Sequence, residues 1–130
     1  MQRQKRNLFL CQPMNDISNG EDIVLLVNSF YSKVKDDELL APKFRHLDWE
    51  KHLPTMYNFW SSMLLGDQRY QGNPFEKHLS LSIDSSHFDR WLKLFTQTVD
   101  EHFAGTKAVE TKSRAQSIAG VWQHKMGLLK

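Results

Sequence analysis

The chain has 130 residues, and its 17 Lys and Arg against 15 Asp and Glu give a formal charge of +2. At about 150 residues per domain that length makes one domain, and a charge so nearly balanced gives no footing for nucleic acid. A 40% hydrophobic and 25% charged composition excludes a disordered chain, a collagen-like repeat and a membrane bundle. The apolar run Leu8 to Cys11 follows Arg3, Lys5 and Arg6, but it falls short of the roughly 7 to 15 residues of a signal peptide. No stretch approaches the roughly 20 apolar residues of a membrane-spanning helix, so no membrane partner is expected. Residues 1–15 read as a flexible basic arm, and residues 16–130 as the domain. Cys11 is the single cysteine and excludes an internal disulfide, which fits a reducing cytoplasm.

The first helical segment opens on Ser18 with Glu21 three residues later, the spacing of a capping box. Ile23, Val27, Phe30, Tyr31 and Val34 then share one face, so Tyr31 points inward. Between Asp36 and His46, Pro42 allows at most a turn or two of helix, and Phe44 is an apolar plug. Asp48 is placed to cap a helix over Trp49 to Leu65, where His52, Met56, Phe59 and Met63 form one stripe and Leu53, Trp60 and Leu64 another. Gly66 ends it. A polar loop leads to Asn73-Pro74, the start of a short helix carrying Phe75, His78 and Leu79. Leu79 to Ile83 alternates without a partner run and reads as an extended connection. Ser86 with Asp89 opens a helix that turns Phe88, Trp91, Leu92, Phe95, Val99 and Phe103 inward. After Gly105 a last helix buries Val109, Ala115, Ile118, Ala119, Trp122 and Met126. The class is all-α, with at least four long helices and one short one.

No HExxH, phosphate-binding glycine loop or GxSxG elbow occurs, which removes the common zinc, nucleotide and hydrolase chemistries. Two histidines on apolar faces remain. His52 shares a stripe with Met56, Phe59 and Met63, and His78 sits between Phe75 and Leu79. The helix of His52 ends at Gly66, and the loop beyond it returns His78 toward the same interior. A flat apolar cofactor with a central metal would fill a gap between them, one imidazole on the metal and the other over its open side. Periodicity alone favours the plainer alternative of two core histidines satisfied by their neighbours.

The strings WEKHLPTMYNFWSSMLLG, GNPFEKHLSL and FDRWLKLF, with Tyr70 between the first two, resemble the group III truncated haemoglobins, from about Asp16 to about Leu128. The resemblance implies a truncated globin fold, a two-over-two helical sandwich around haem b. It implies His78 as the proximal iron ligand and His52 as the distal histidine, with Tyr31 and Trp91 as donors to the iron-bound ligand. Phe44 matches the phenylalanine that packs on the ring, and Met56 the apolar residue one turn beyond the distal histidine. Phe59, Met63 and Phe88 are expected to add apolar contacts to the cofactor; the resemblance does not fix the partners of its propionates, for which Arg45, Arg69, Tyr70 and Lys77 are candidates by charge and proximity in sequence. His87 is the rival proximal ligand and matches no motif.

Two function classes follow from such a site. The first is a protein that binds O2, NO or CO reversibly at a five-coordinate iron. The second is an enzyme performing nitric oxide dioxygenation or peroxide reduction. No flavin or nicotinamide motif is present, so turnover would need an external reductase. The first class is favoured.

Overall fold

The computed structural model describes residues 14–45, 47–66 and 83–127. These form α1 (Gly20–Asp36), α2 (Ala41–Phe44), α3 (Trp49–Leu65), α4 (Ser85–His102) and α5 (Thr106–Lys125). All the described regular structure is helical, four long helices and one of a single turn. Helix α1 packs on both α3 and α4, and α4 packs on α5. The pair α1/α3 therefore lies over the pair α4/α5, as two layers of two helices. No described helix is long and apolar enough to cross a membrane.

Periodicity placed the α1 stripe correctly: Ile23, Val27, Phe30, Tyr31 and Val34 are all buried, joined by Leu26. The α1 cap lies one residue later than expected. Asn19, not Ser18, accepts from the Asp22 N–H at 3.0 Å, and the Ser18 N–H donates to the Asp22 carboxylate at 2.9 Å. Ser and Asn cap about equally well, and starting at Asn19 uses both.

At its other end α1 is tied down by Asp37. One carboxylate oxygen accepts from Leu39 N–H and Leu40 N–H at 3.1 and 3.0 Å, and the other from Arg90 of α4 at 2.6 Å. Burial pushes the Asp37 carboxyl up, but Arg90 and the two N–H groups outweigh it and hold it below the usual carboxylate range. This folds the chain into α2, where Leu40 and Phe44 turn inward.

Helix α3 runs to Gly66, whose left-handed conformation (φ 73°) ends it. Asp48 is at the N-cap position as expected, but its side chain makes no capping hydrogen bond. Helix α4 corrects a second cap. Asp84 opens it, accepting from Ser86 N–H at 2.9 Å, while the Asp84 N–H donates to His87 Nδ1 at 3.0 Å. Asp84 prevails over Ser86 because a carboxylate at the helix start also meets the positive end of the dipole.

In α5 the buried positions are Ala108, Thr111, Ala115, Ala119 and Gln123, and Val109 is 62% exposed. The expectation for Val109 fails because the face against α4 is built from small side chains, which bring the two backbones close; a reading led by hydrophobicity selects the valine beside them. Ile118 and Trp122 are half-buried.

Candidate functional site

Trp60 of α3 and Phe95 and Trp91 of α4 stack in a column, with centroids 4.9 and 5.5 Å apart and planes within 22° and 12°. Phe30 of α1 meets Phe95, Trp91 and Tyr31 edge-on at 5.2, 5.8 and 4.8 Å. Contacts of this kind add about 0.5–1.5 kcal/mol each beyond the area they bury. A layer of rings behind Tyr31 and Trp91 thus holds both in place.

In front of that layer lie two apolar cavities. The first, about 480 Å³, is lined by Tyr31, Leu40, Phe44, Ile83, His87, Phe88, Trp91, Ile118, Ala119 and Trp122. The second, about 390 Å³, is lined by Phe30, Tyr31, Met56, Phe59, Trp60, Trp91, Ile118 and Trp122. Four residues, Tyr31, Trp91, Ile118 and Trp122, belong to both, so the cavities adjoin along a shared wall as two lobes, here called the chamber, where the two layers meet.

Two donors in this apolar wall are unused. Among the described residues, neither the Tyr31 hydroxyl nor the Trp91 indole N–H makes a hydrogen bond. Tyr31 is only 6% exposed, and burial pushes its hydroxyl far above the ordinary phenol range. It therefore stays protonated at any physiological pH. His52 of α3 is half-buried with Nε2 inside, and its ring stands edge-on to Tyr31 at 5.0 Å and to Trp49 at 5.5 Å. An apolar slot with polar hydrogen atoms at one wall suits a flat apolar cofactor carrying a small polar ligand.

The structure brings Tyr31, Trp91, Phe44 and Phe88 to one lobe and Met56 and Phe59 to the other, with His52 against Tyr31. Met63 packs on the core and lines neither lobe. Arg45 is exposed. His78, Tyr70, Lys77 and Arg69 lie outside the described residues. His87 reaches the chamber wall, and its Nδ1 is engaged by the Asp84 cap at the start of α4. Sequence reasoning missed Leu40, Ile118, Trp122 and Trp49. Leu40 and Phe44, and likewise Trp49 and His52, are one helical turn apart, a spacing that signals a shared face.

The bacterial-like globin family matches residues 3–125, a span that takes in most of the segment read as a basic arm. The group 3 truncated haemoglobin ctb of Campylobacter jejuni is 35% identical over 113 residues, covering 82% of this chain and 89% of that protein. The crystal structure of the group III truncated haemoglobin from Campylobacter jejuni superposes with a TM-score of 0.80 at 35% identity, covering 90% of this chain and 96% of that one. The truncated haemoglobin from Tetrahymena pyriformis, a mutant in the Fe(III) form, has a TM-score of 0.63 at 23% identity over 75% of this chain and 84% of its own, a likeness of fold.

Proposed function

The chain belongs to the bacterial-like globin family and within it is a group 3 truncated haemoglobin, and from that premise we propose that it holds haem b non-covalently and binds O2, NO or CO reversibly. Haem, which its haemoglobin relatives imply, supplies when bound an iron with a position open to a diatomic gas. In this reading His78 is the proximal ligand, and Phe44, Met56, Phe59 and Phe88 give the macrocycle apolar contact, with Met63 one turn beyond Phe59. Tyr70 and Lys77, with Arg45 and Arg69, are the groups available to its carboxylates. A reducing cytoplasm is part of this reading, and a single cysteine with no internal disulfide is compatible with it.

The observation that carries the proposal is the pair of unused donors in an apolar wall. Neither group has a hydrogen-bond partner among the described residues, so a partner that arrives later gives each its hydrogen bond. A diatomic ligand carrying partial negative charge on its outer atom is such a partner, and the hydrogen bond it accepts is charge-assisted. Tyr31 donates from its hydroxyl and Trp91 from its indole nitrogen, while the surrounding apolar side chains exclude competing water. His52 beside Tyr31 supplies a third donor or a gate to solvent.

Absorption spectra of the purified protein, oxidised, reduced and with CO, test this directly. A Soret band is expected, with pigment that acid-acetone removes; haem that stays on the chain, or no Soret band after haem is supplied, contradicts it. His78→Gly should lose haem or retain it only with added imidazole, whereas His87→Ala should leave the ferrous-CO spectrum unchanged. The reverse pattern moves the proximal bond to His87.

A further inference from the structure

Trp49, the first residue of α3, packs edge-on against Tyr31 at 5.3 Å and against His52 at 5.5 Å, and those two rings lie 5.0 Å apart. The three rings close into a triangle. On its outer side the Lys35 Nζ sits 4.5 Å from the centroid of the Trp49 ring. Lys35 is exposed and belongs to the last turn of α1. The half-buried indole therefore lies between an ammonium ion in solvent and two rings, of which Tyr31 lines the chamber and His52 stands beside it. Asp48 makes no side-chain cap on α3, so the ring contacts add to the backbone hydrogen bonds that its carbonyl accepts from Lys51 and His52 at the entry to that helix. His52 is one turn further along, on the same face.

We propose that Trp49, clasped by Lys35, is the outer leaf of the gate through which a diatomic ligand reaches the chamber. The proposal rests on the reading of His52 and Tyr31 as residues flanking the ligand. For the His52 ring to swing outward it must displace the indole, and the indole must leave the ammonium. Trp49 is a positioning residue: it sets how fast ligand passes and not how strongly it is held. A gate is a barrier shared by entry and exit, so opening it speeds both equally and leaves affinity unchanged. A filler in the wall would instead change affinity and stability when removed.

CO is the appropriate probe, because it draws little on the hydrogen bonds of the wall. Lys35→Met should raise CO association and dissociation rates together by about 2- to 5-fold, the equivalent of an exposed cation–π contact. Trp49→Ala should raise both by about tenfold, and Lys35→Arg, which keeps a cation able to stack on the ring, should leave both at wild-type values. In haem-free protein, Lys35→Met should also speed solvent exchange of the Trp49 indole proton, read by NMR. Lys35 is exposed, so its variants remain informative even if Trp49→Ala does not fold. Unchanged rates in Lys35→Met, or a change in dissociation alone, overturn the gate while leaving the haem reading intact. Wild-type protein with no Soret band overturns both.

Discussion

At the start of α5 the Asp16 carboxylate takes the N–H groups of Ile17, Lys107 and Ala108, each at 2.8 Å, so a residue about ninety positions earlier caps the helix. At the chamber Tyr31 and Trp91 line an apolar wall, and among the described residues the hydroxyl of one and the N–H of the other make no hydrogen bond. Both regions confine polar groups, yet one uses its donors on the chain and the other leaves them over. The difference separates parts whose task is to hold the fold from parts whose task is completed by something added. Changes at the Asp16 corner should therefore cost stability and spare the chamber, and changes at the chamber should do the reverse.

The largest effect is expected at Gly105, where φ is +138° and an added Cβ would lie 2.6 Å from both Cγ and Oδ2 of Asp16. Gly105→Ala combines backbone strain with a displaced cap and should lower unfolding stability by about 3 kcal/mol or more in a denaturant titration. The absorption spectrum of the folded fraction should not move; a spectral change without loss of stability would break the contrast between the two regions.

Asp16→Ala should cost about 1–2 kcal/mol, as lost helix caps do. Its pH dependence sharpens the point. Burial pushes the Asp16 carboxyl up, but the Lys107, Ile17 and Ala108 N–H groups and the Lys107 ammonium outweigh it and hold it below the usual range. A depressed folded value means that the stabilisation is fully present above the unfolded carboxyl pKa, near 4, and is lost as pH falls through the lower folded value. The gap between wild type and Asp16→Ala should thus be constant above about pH 5 and close under stronger acid. A gap that widens on acidification would contradict the assignment.

The smallest effect belongs to the Lys33–Glu101 ion pair joining α1 to α4 at 2.7 Å, whose Glu101 side chain is 44% exposed. Glu101→Gln should change stability by less than about 0.5 kcal/mol, and 0.5 M salt should remove even that. A larger loss would show that this surface pair shares in holding the two layers together.

Much of this contrast was legible in the residues. Apolar residues repeating on one face of α1 placed Tyr31 inward, and Asp48 and Gly66 bracket α3 where their chemistry suggests. The caps were less legible, since Ser18, Asn19 and Asp84 to Ser86 offer adjacent residues of similar capping strength, and tertiary contacts select among them. The Asp16 cap was illegible because its partners, Lys107 and Ala108, are brought to it only by the packed fold. Val109 misled because close helix packing favours alanine and threonine over the larger apolar side chain beside them. At the site, the resemblance named Tyr31, His52 and Trp91, but the rings that fix them, Phe30, Phe95 and Trp49, emerge only from the packing.

The most direct test of the account replaces Tyr31 with phenylalanine, which keeps the ring contacts and removes only the hydroxyl. Stability should stay within about 0.5 kcal/mol of wild type, since no hydrogen bond of the fold is lost. A hydrogen bond to a partly charged acceptor is worth about 1.5–3 kcal/mol, so O2 dissociation measured by stopped flow should accelerate by about 10- to 150-fold. CO carries less charge on its outer atom, and its release should change far less. Equal acceleration of O2 and CO release would mean that Tyr31 acts by packing, and no change in either would place the hydrogen bond on Trp91 or His52; both results contradict the central claim that the unused Tyr31 hydroxyl is kept for the ligand.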